Sequence, residues 1–195
     1  MKSTFCILAF SLCTTLVMAQ SQSKAKFNPK IGFGSYRLVD EGQQGGDRSH
    51  PVRHFGFDMI LQHKGWMFIP GFHLYQVGVA RENFELGDVF RSRSHANYGR
   101  IPLVFGYKLL PNSLIQLGAY GGANLDFFVN VQENDLNLID ENFNGVRTSL
   151  EFGAHALLLK HFTVDLHYDH GLNPLIKFRE NSKARGWVLS AGVIF

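Results

Sequence analysis

The chain has 195 residues, 13% of them aromatic, with 18 Phe and 20 Gly and a formal charge of +3. A charge balance this mild argues against nucleic acid as a main partner. Both of its 2 cysteines, Cys6 and Cys13, lie in the N-terminal apolar stretch, so the remainder can hold no disulfide and no thiolate-bound metal.

Met1-Lys2 is a short positive start, and Phe5 to Met18 is apolar apart from Ser11, Thr14 and Thr15. Val17-Met18-Ala19 places small residues where a signal peptidase inspects the chain, so residues 1–19 are expected to be a signal peptide cleaved near Ala19. Cys13 follows Leu12 rather than a small residue, which argues against lipidation. No later apolar run reaches the 18 or so residues that a spanning helix needs. Residues 20–29 are polar and are assigned to a periplasmic lead-in, with a barrel domain over 30–195.

Lys30 to Asp40 is the first candidate strand, its faces blurred by Gly32 and Gly34. Residues 41–52 read as a loop, with Gly-Gln-Gln-Gly-Gly-Asp and Pro51. From Arg53 to Gln62 the pattern alternates: Phe55, Phe57, Met59 and Leu61 share one face. His63-Lys64-Gly65 is a tight turn. Trp66 to Val79 follows, interrupted by Pro70, and residues 81–97 are charged and irregular. Tyr98 to Leu109 sets Ile101, Leu103, Phe105, Tyr107 and Leu109 against Arg100, Val104, Gly106 and Lys108. After the turn at Pro111-Asn112-Ser113 comes a Gly-rich strand from Leu114 to about Phe128, then a polar loop over 129–144. Gly145 to Leu159 and Phe162 to Asp169 make a pair with a turn near Lys160-His161. Residues 170–184 form a basic loop, and Arg185 to Phe195 closes the chain with Trp187, Leu189, Ala191, Val193 and Phe195 on one parity.

The pattern is eight strands in which long polar loops and short turns strictly alternate. The expected fold class is all-β: an eight-stranded antiparallel up-and-down transmembrane β-barrel behind a cleaved signal peptide, located in the cell outer membrane. Bilayer physics demands closure, because an open edge would leave unpaired N–H and C=O groups in hydrocarbon. The rival is a soluble lipocalin-like or sandwich fold with its apolar face inward. Ionisable residues on one face, Arg147, Glu151 and His155, then Asp165, His167 and Asp169, favour the inverted barrel, whose narrow interior can pair them.

Tyr98-Gly-Arg-Ile-Pro-Leu-Val-Phe-Gly-Tyr-Lys-Leu-Leu110 precedes, after a turn, Leu114-Ile-Gln-Leu-Gly-Ala-Tyr-Gly-Gly122. This hairpin resembles the middle of the outer-membrane β-barrel domain family that includes PorT-like proteins. The resemblance implies an eight-stranded outer-membrane barrel, with some members serving protein secretion, and no shared catalytic motif. It also implies that Pro102 is tolerated in mid-strand, and we expect a bulge there. The aromatic end at Phe195 resembles the closing strand of outer-membrane barrels, which implies recognition by the barrel-assembly machinery.

The wet faces of the sixth and seventh strands are both on odd numbers, so a short connection around His161 sets His155 opposite Asp165 or, one step over, His167. With Ser149 on the same face, a Ser/His/acid hydrolase can be imagined, and lipid A deacylases are eight-stranded barrels of this kind. Such enzymes act on the outward wall, whereas these residues point inward. Arg147, Glu151, His155, Asp165 and His167 are therefore assigned to a structural charge network that plugs the lumen, and no catalytic residue is expected. His161, His167 and His170 are of mixed parity and cannot share one strand face, so neither metal nor cofactor is expected. Lys177, Arg179 and Lys183 could rest on lipopolysaccharide phosphates. The expectation is a non-enzymatic barrel whose loops 41–52, 81–97, 129–144 and 170–184 bind a protein partner or assist secretion or envelope integrity.

Overall fold

The computed structural model describes residues 24–39, 49–78, 95–110, 114–132, 138–177 and 182–195. Residues 1–23, where the signal peptide was read, lie outside the described residues. Eight strands form: β1 (Lys24–Val39), β2 (Ser49–His63), β3 (Trp66–Gly78), β4 (His95–Lys108), β5 (Ile115–Val131), β6 (Val146–Leu158), β7 (Phe162–Gly171) and β8 (Lys183–Val193). Each pairs antiparallel with the next, and β8 pairs with β1 to close the barrel. Closure leaves no sheet edge, as a strand structure in hydrocarbon requires.

Period-two patterning sets which side of the wall each residue faces. Phe55, Leu103, Phe152 and Val193 lie on the outer surface, with 54%, 42%, 54% and 36% of their area exposed. The residues next to them in the chain, His54, Val104, Glu151 and Ile194, are buried inside. This is the reverse of a soluble barrel. A belt of Phe, Leu and Ile around the whole wall far exceeds the apolar patches that water-soluble proteins carry, and lipid is the solvent that fits it. Trp66, stacked edge-on against Tyr107 at 5.1 Å, and Trp187, 5.2 Å from Tyr168, mark opposite rims of the belt.

Turn chemistry matches the short connections. Lys64 (φ 46°) and Gly65 (φ 88°) give the β2–β3 hairpin two left-handed residues, the twist that a two-residue hairpin needs. Leu159 and Lys160 (φ 51° and 66°) do the same between β6 and β7 without glycine.

Three expectations are corrected. Residues 24–29, assigned by their polarity to the lead-in, are strand: β1 begins at Lys24, and Lys24 to Pro29 pair with Gln62 to Phe57. Polar residues beyond the apolar band still complete a ladder. The bulge expected at Pro102 is absent. Pro102 stands in register opposite Asn124, and the shift falls between Asn97 and Tyr98, where Val129 is the extra residue. The missing N–H is accommodated differently: the β3–β4 register is the same at Pro70–Leu103 and His73–Arg100, with the bridges between them left out. Finally, β2, β4, β5, β7 and β8 extend into the segments read as loops, reaching Ser49, His95, Val131, Gly171 and Lys183. Strand above the membrane carries no apolar alternation, so its polarity alone reads as loop.

Candidate functional site

The inward side chains stack in three layers. At the periplasmic end Ile60, Met67, Ile69, Val104, Tyr120, Leu157 and Ile194 form an apolar plug. At the extracellular end a second apolar cluster joins Tyr36, Val52, Tyr75, Val77, Ala96, Tyr98, Ala184 and Val188 to Phe143, Leu175 and Ile176. The last three come from the described parts of the β5–β6 and β7–β8 connections, 138–145 and 172–177, which pack together over the mouth as a lid. Phe143 and Ile176 form a β-bridge. The Lys177 N–H donates to Asn142 O at 2.9 Å and the Asn144 N–H to Leu175 O at 3.2 Å. Phe143 also stacks on Phe128, with ring centroids 5.1 Å apart.

Between the plugs lies a layer of charge. In its lower part Lys30 Nζ is 2.6 Å from Asp58 Oδ2 and 3.4 Å from Asp165 Oδ2. His73 Nε2 meets Asp58 Oδ1 at 2.8 Å, and His155 Nδ1 meets Asp165 Oδ1 at 2.6 Å. In its upper part Arg100 donates from Nε and Nη2 to Asp126 at 2.6 and 3.0 Å and from Nη1 to Asp169 at 2.6 Å. Its guanidinium stacks 3.9 Å over the Tyr75 ring. Tyr36 donates a short hydrogen bond to Asp169, and Arg147 lies 3.6 Å from Asp126. Charge-assisted bonds of this kind are what make buried ions tolerable. A void of about 20 Å3 lies here, lined by Lys30, Asp58, Glu151, His155 and His167 among others, room for about one water.

Arg147, Glu151, His155, Asp165 and His167 thus all face this layer and are buried. The β6–β7 register places His155 opposite Asp165 and Glu151 opposite Asp169. Sequence reasoning named only the β6–β7 part. Lys30, Asp58, His73, Arg100, Asn124 and Asp126 complete the network from β1 to β5. Their inward parity was readable, but their common height was not.

A Ser149–His155 pair does not form. Six residues apart on one strand, the two are about 20 Å apart along it, and Ser149 Oγ accepts from Asn124 Nδ2 at 3.3 Å. A different pair, His54 Nε2 and Ser190 Oγ at 2.9 Å, was not foreseen. It has no orienting acid, since His54 Nδ1 has no partner, and both residues are buried. His161 sits in the exposed β6–β7 turn, His170 faces out and His167 faces in, so the three stand apart. Lys177 is exposed on the lid, Lys183 is half-buried at the start of β8, and Arg179 lies outside the described residues.

The fold and this plugged interior define a small, closed outer-membrane β-barrel. The chain belongs to the outer membrane protein beta-barrel domain family, whose model matches residues 18–177, and its place is the cell outer membrane. Among solved structures, Neisserial surface protein A is similar at 10% identity and a TM-score of 0.50, over 90% of this chain and 100% of that one. Ail, the attachment invasion locus protein of Yersinia pestis, is 16% identical with a TM-score of 0.46, over 88% of this chain and 99% of that one. OprG of Pseudomonas aeruginosa is 14% identical with a TM-score of 0.43, over 90% and 98%. At these identities the likeness concerns the fold alone. No curated protein matches the sequence.

Proposed function

We propose that this protein is a non-enzymatic outer-membrane barrel that works through its extracellular surface, with the lumen network serving as structure. The observation that supports this is the closure of the lumen at both ends. Phe143, Leu175 and Ile176 cover the charges from outside, and Ile60, Met67 and Leu157 close them from the periplasm. Among the described residues these side chains fill both ends of the lumen and leave little room for a solute or substrate. What is left to meet a partner is the outer face of the lid and the long polar segments that join the strands at this end. Lys177 and Lys183, with Arg179 nearby in sequence, offer charge to lipopolysaccharide phosphates. The loops would engage a protein partner in secretion or envelope maintenance, the role that the resemblance to PorT-like proteins suggests.

Deleting each extracellular loop in turn, then assaying protein secretion and detergent sensitivity of the envelope, tests this. Loss of either property with the barrel still assembled supports a loop-borne role. Wild-type behaviour from every deletion overturns it. A lipid A hydrolase, the alternative, predicts a changed acylation pattern by mass spectrometry when the protein is absent, and our proposal predicts none.

A further inference from the structure

We propose that the lumen holds one divalent metal ion between β5, β6 and β7, ligated by Glu151, His167 and Asp169 and completed by the side-chain carbonyl of Asn124. The register carries the first argument. Glu151 and Asp169 are directly opposed across the β6–β7 seam, both inward and both buried. Like charges so placed repel unless something lies between them.

The pairing of charges carries the second. Among the described residues of this layer, five carboxylates (Asp58, Asp126, Glu151, Asp165 and Asp169) face three permanent cations, Lys30, Arg100 and Arg147. Lys30 serves Asp58 and Asp165, while Arg100 serves Asp126 and Asp169. Glu151 is the carboxylate with no Lys or Arg within 4 Å among the described residues: its ion-pair partner is His167, with Nδ1 3.8 Å from Oε1. A buried carboxylate without a counter-charge is among the costliest groups a fold can keep.

The third argument is a vacant polar atom on each of two buried side chains beside these acids. His167 Nδ1 and Asn124 Oδ1 are buried with no hydrogen-bond partner. The Asn124 amide already lies between the two acids, its Nδ2 2.9 Å from Glu151 Oε2 and 3.3 Å from Asp169 Oδ1. Turning that amide over presents Oδ1 to the same place. Asp169 spends Oδ2 on Arg100 and Tyr36, which leaves Oδ1 for an ion.

One ligand atom from each of Glu151, His167 and Asp169 lies within 4.8 Å of the others. Ligands around a tetrahedral ion at about 2.0–2.1 Å stand about 3.4 Å apart, so shifts of about 1 Å complete the site. One imidazole nitrogen and three oxygens suit a first-row divalent ion such as Zn2+. Calcium, which takes 6–8 oxygens, does not fit. Because packed side chains fill both ends of the lumen among the described residues, the ion would enter while the barrel folds and stay until it unfolds.

The test uses the protein extracted from outer membranes and, separately, refolded from urea into detergent with Zn2+. Each sample is dialysed against EDTA before elemental analysis, and folding is verified by the heat-shifted gel band. The expected result is about one metal ion per chain. Glu151→Gln and His167→Gln should hold less than about a tenth of that, while His155→Gln, elsewhere in the lumen, keeps it. Trace metal in the folded wild type by both routes overturns the proposal. So does equal retention by the Glu151 and His167 variants, or a His167 imidazolium signal by NMR in metal-free barrel, which would mean a proton supplies the missing charge.

Discussion

Arg100 offers the sharpest test of a dry, sealed lumen. Replacing it with Met keeps a long side chain of similar reach but removes three charge-assisted hydrogen bonds at 2.6, 2.6 and 3.0 Å. In the metal-free barrel Asp169 then keeps Tyr36 and Asn124 but no Arg or Lys within 4 Å among the described residues, and Asp126 keeps Arg147 at 3.6 Å. Stranding a buried charge this way costs about 3–5 kcal/mol, which at about 1.4 kcal/mol per factor of ten is about 100- to 4,000-fold in the folding equilibrium. The assay is reversible urea unfolding in lipid vesicles, read by the fluorescence of Trp66 and Trp187 and by the heat-shifted gel band. Adding Asp126→Asn and Asp169→Asn should recover at least half of the loss, because the stranded charges go with it. A loss below about 1 kcal/mol for Arg100→Met would mean that water reaches the network, and the sealed interior would have to be abandoned.

Three further outcomes are expected. Phe152→Arg, on the lipid face of β6, should cost about 2–4 kcal/mol in vesicles; a loss below 0.5 kcal/mol would mean that this face meets water. A Cβ at Gly186 would lie 1.8 Å from the Ser35 carbonyl across the closing β1–β8 seam, so Gly186→Val should abolish the heat-shifted band that marks a closed barrel. Phe143→Ala removes a fully buried lid side chain and should make the lid cleavable by protease added to intact cells, while the band persists; unchanged protection would show that the lid is held by something other than this packing.

Much of the wall was legible in the chain. Phe55, Phe57 and Met59 alternate with His54, Gly56 and Asp58, and a strand has only two faces, so inside and outside follow once lipid is the solvent. The short turn at His161 likewise narrowed the partner of His155 to Asp165 or His167, because hairpin register depends on local chain length, and the folded register is the Asp165 one. Lone apolar residues such as Phe143, Leu175 and Ile176 were not legible as a plug, since one apolar side chain in a polar loop has no period to read. Pro102 misled for a related reason. Sequence shows that a ladder bond is missing but not whether the strand bulges or its neighbours merely skip a bridge.

The sequence by itself determined the number of strands, their facing and the need for closure, since each follows from side-chain alternation and unsatisfied backbone in hydrocarbon. Which charges meet was decided by the closed barrel. The stagger summed around eight strands brings Lys30 of β1 to Asp165 of β7 and Arg100 of β4 to Asp169 of β7. Tilt and shear are properties of the whole cylinder, and no local stretch of chain encodes them.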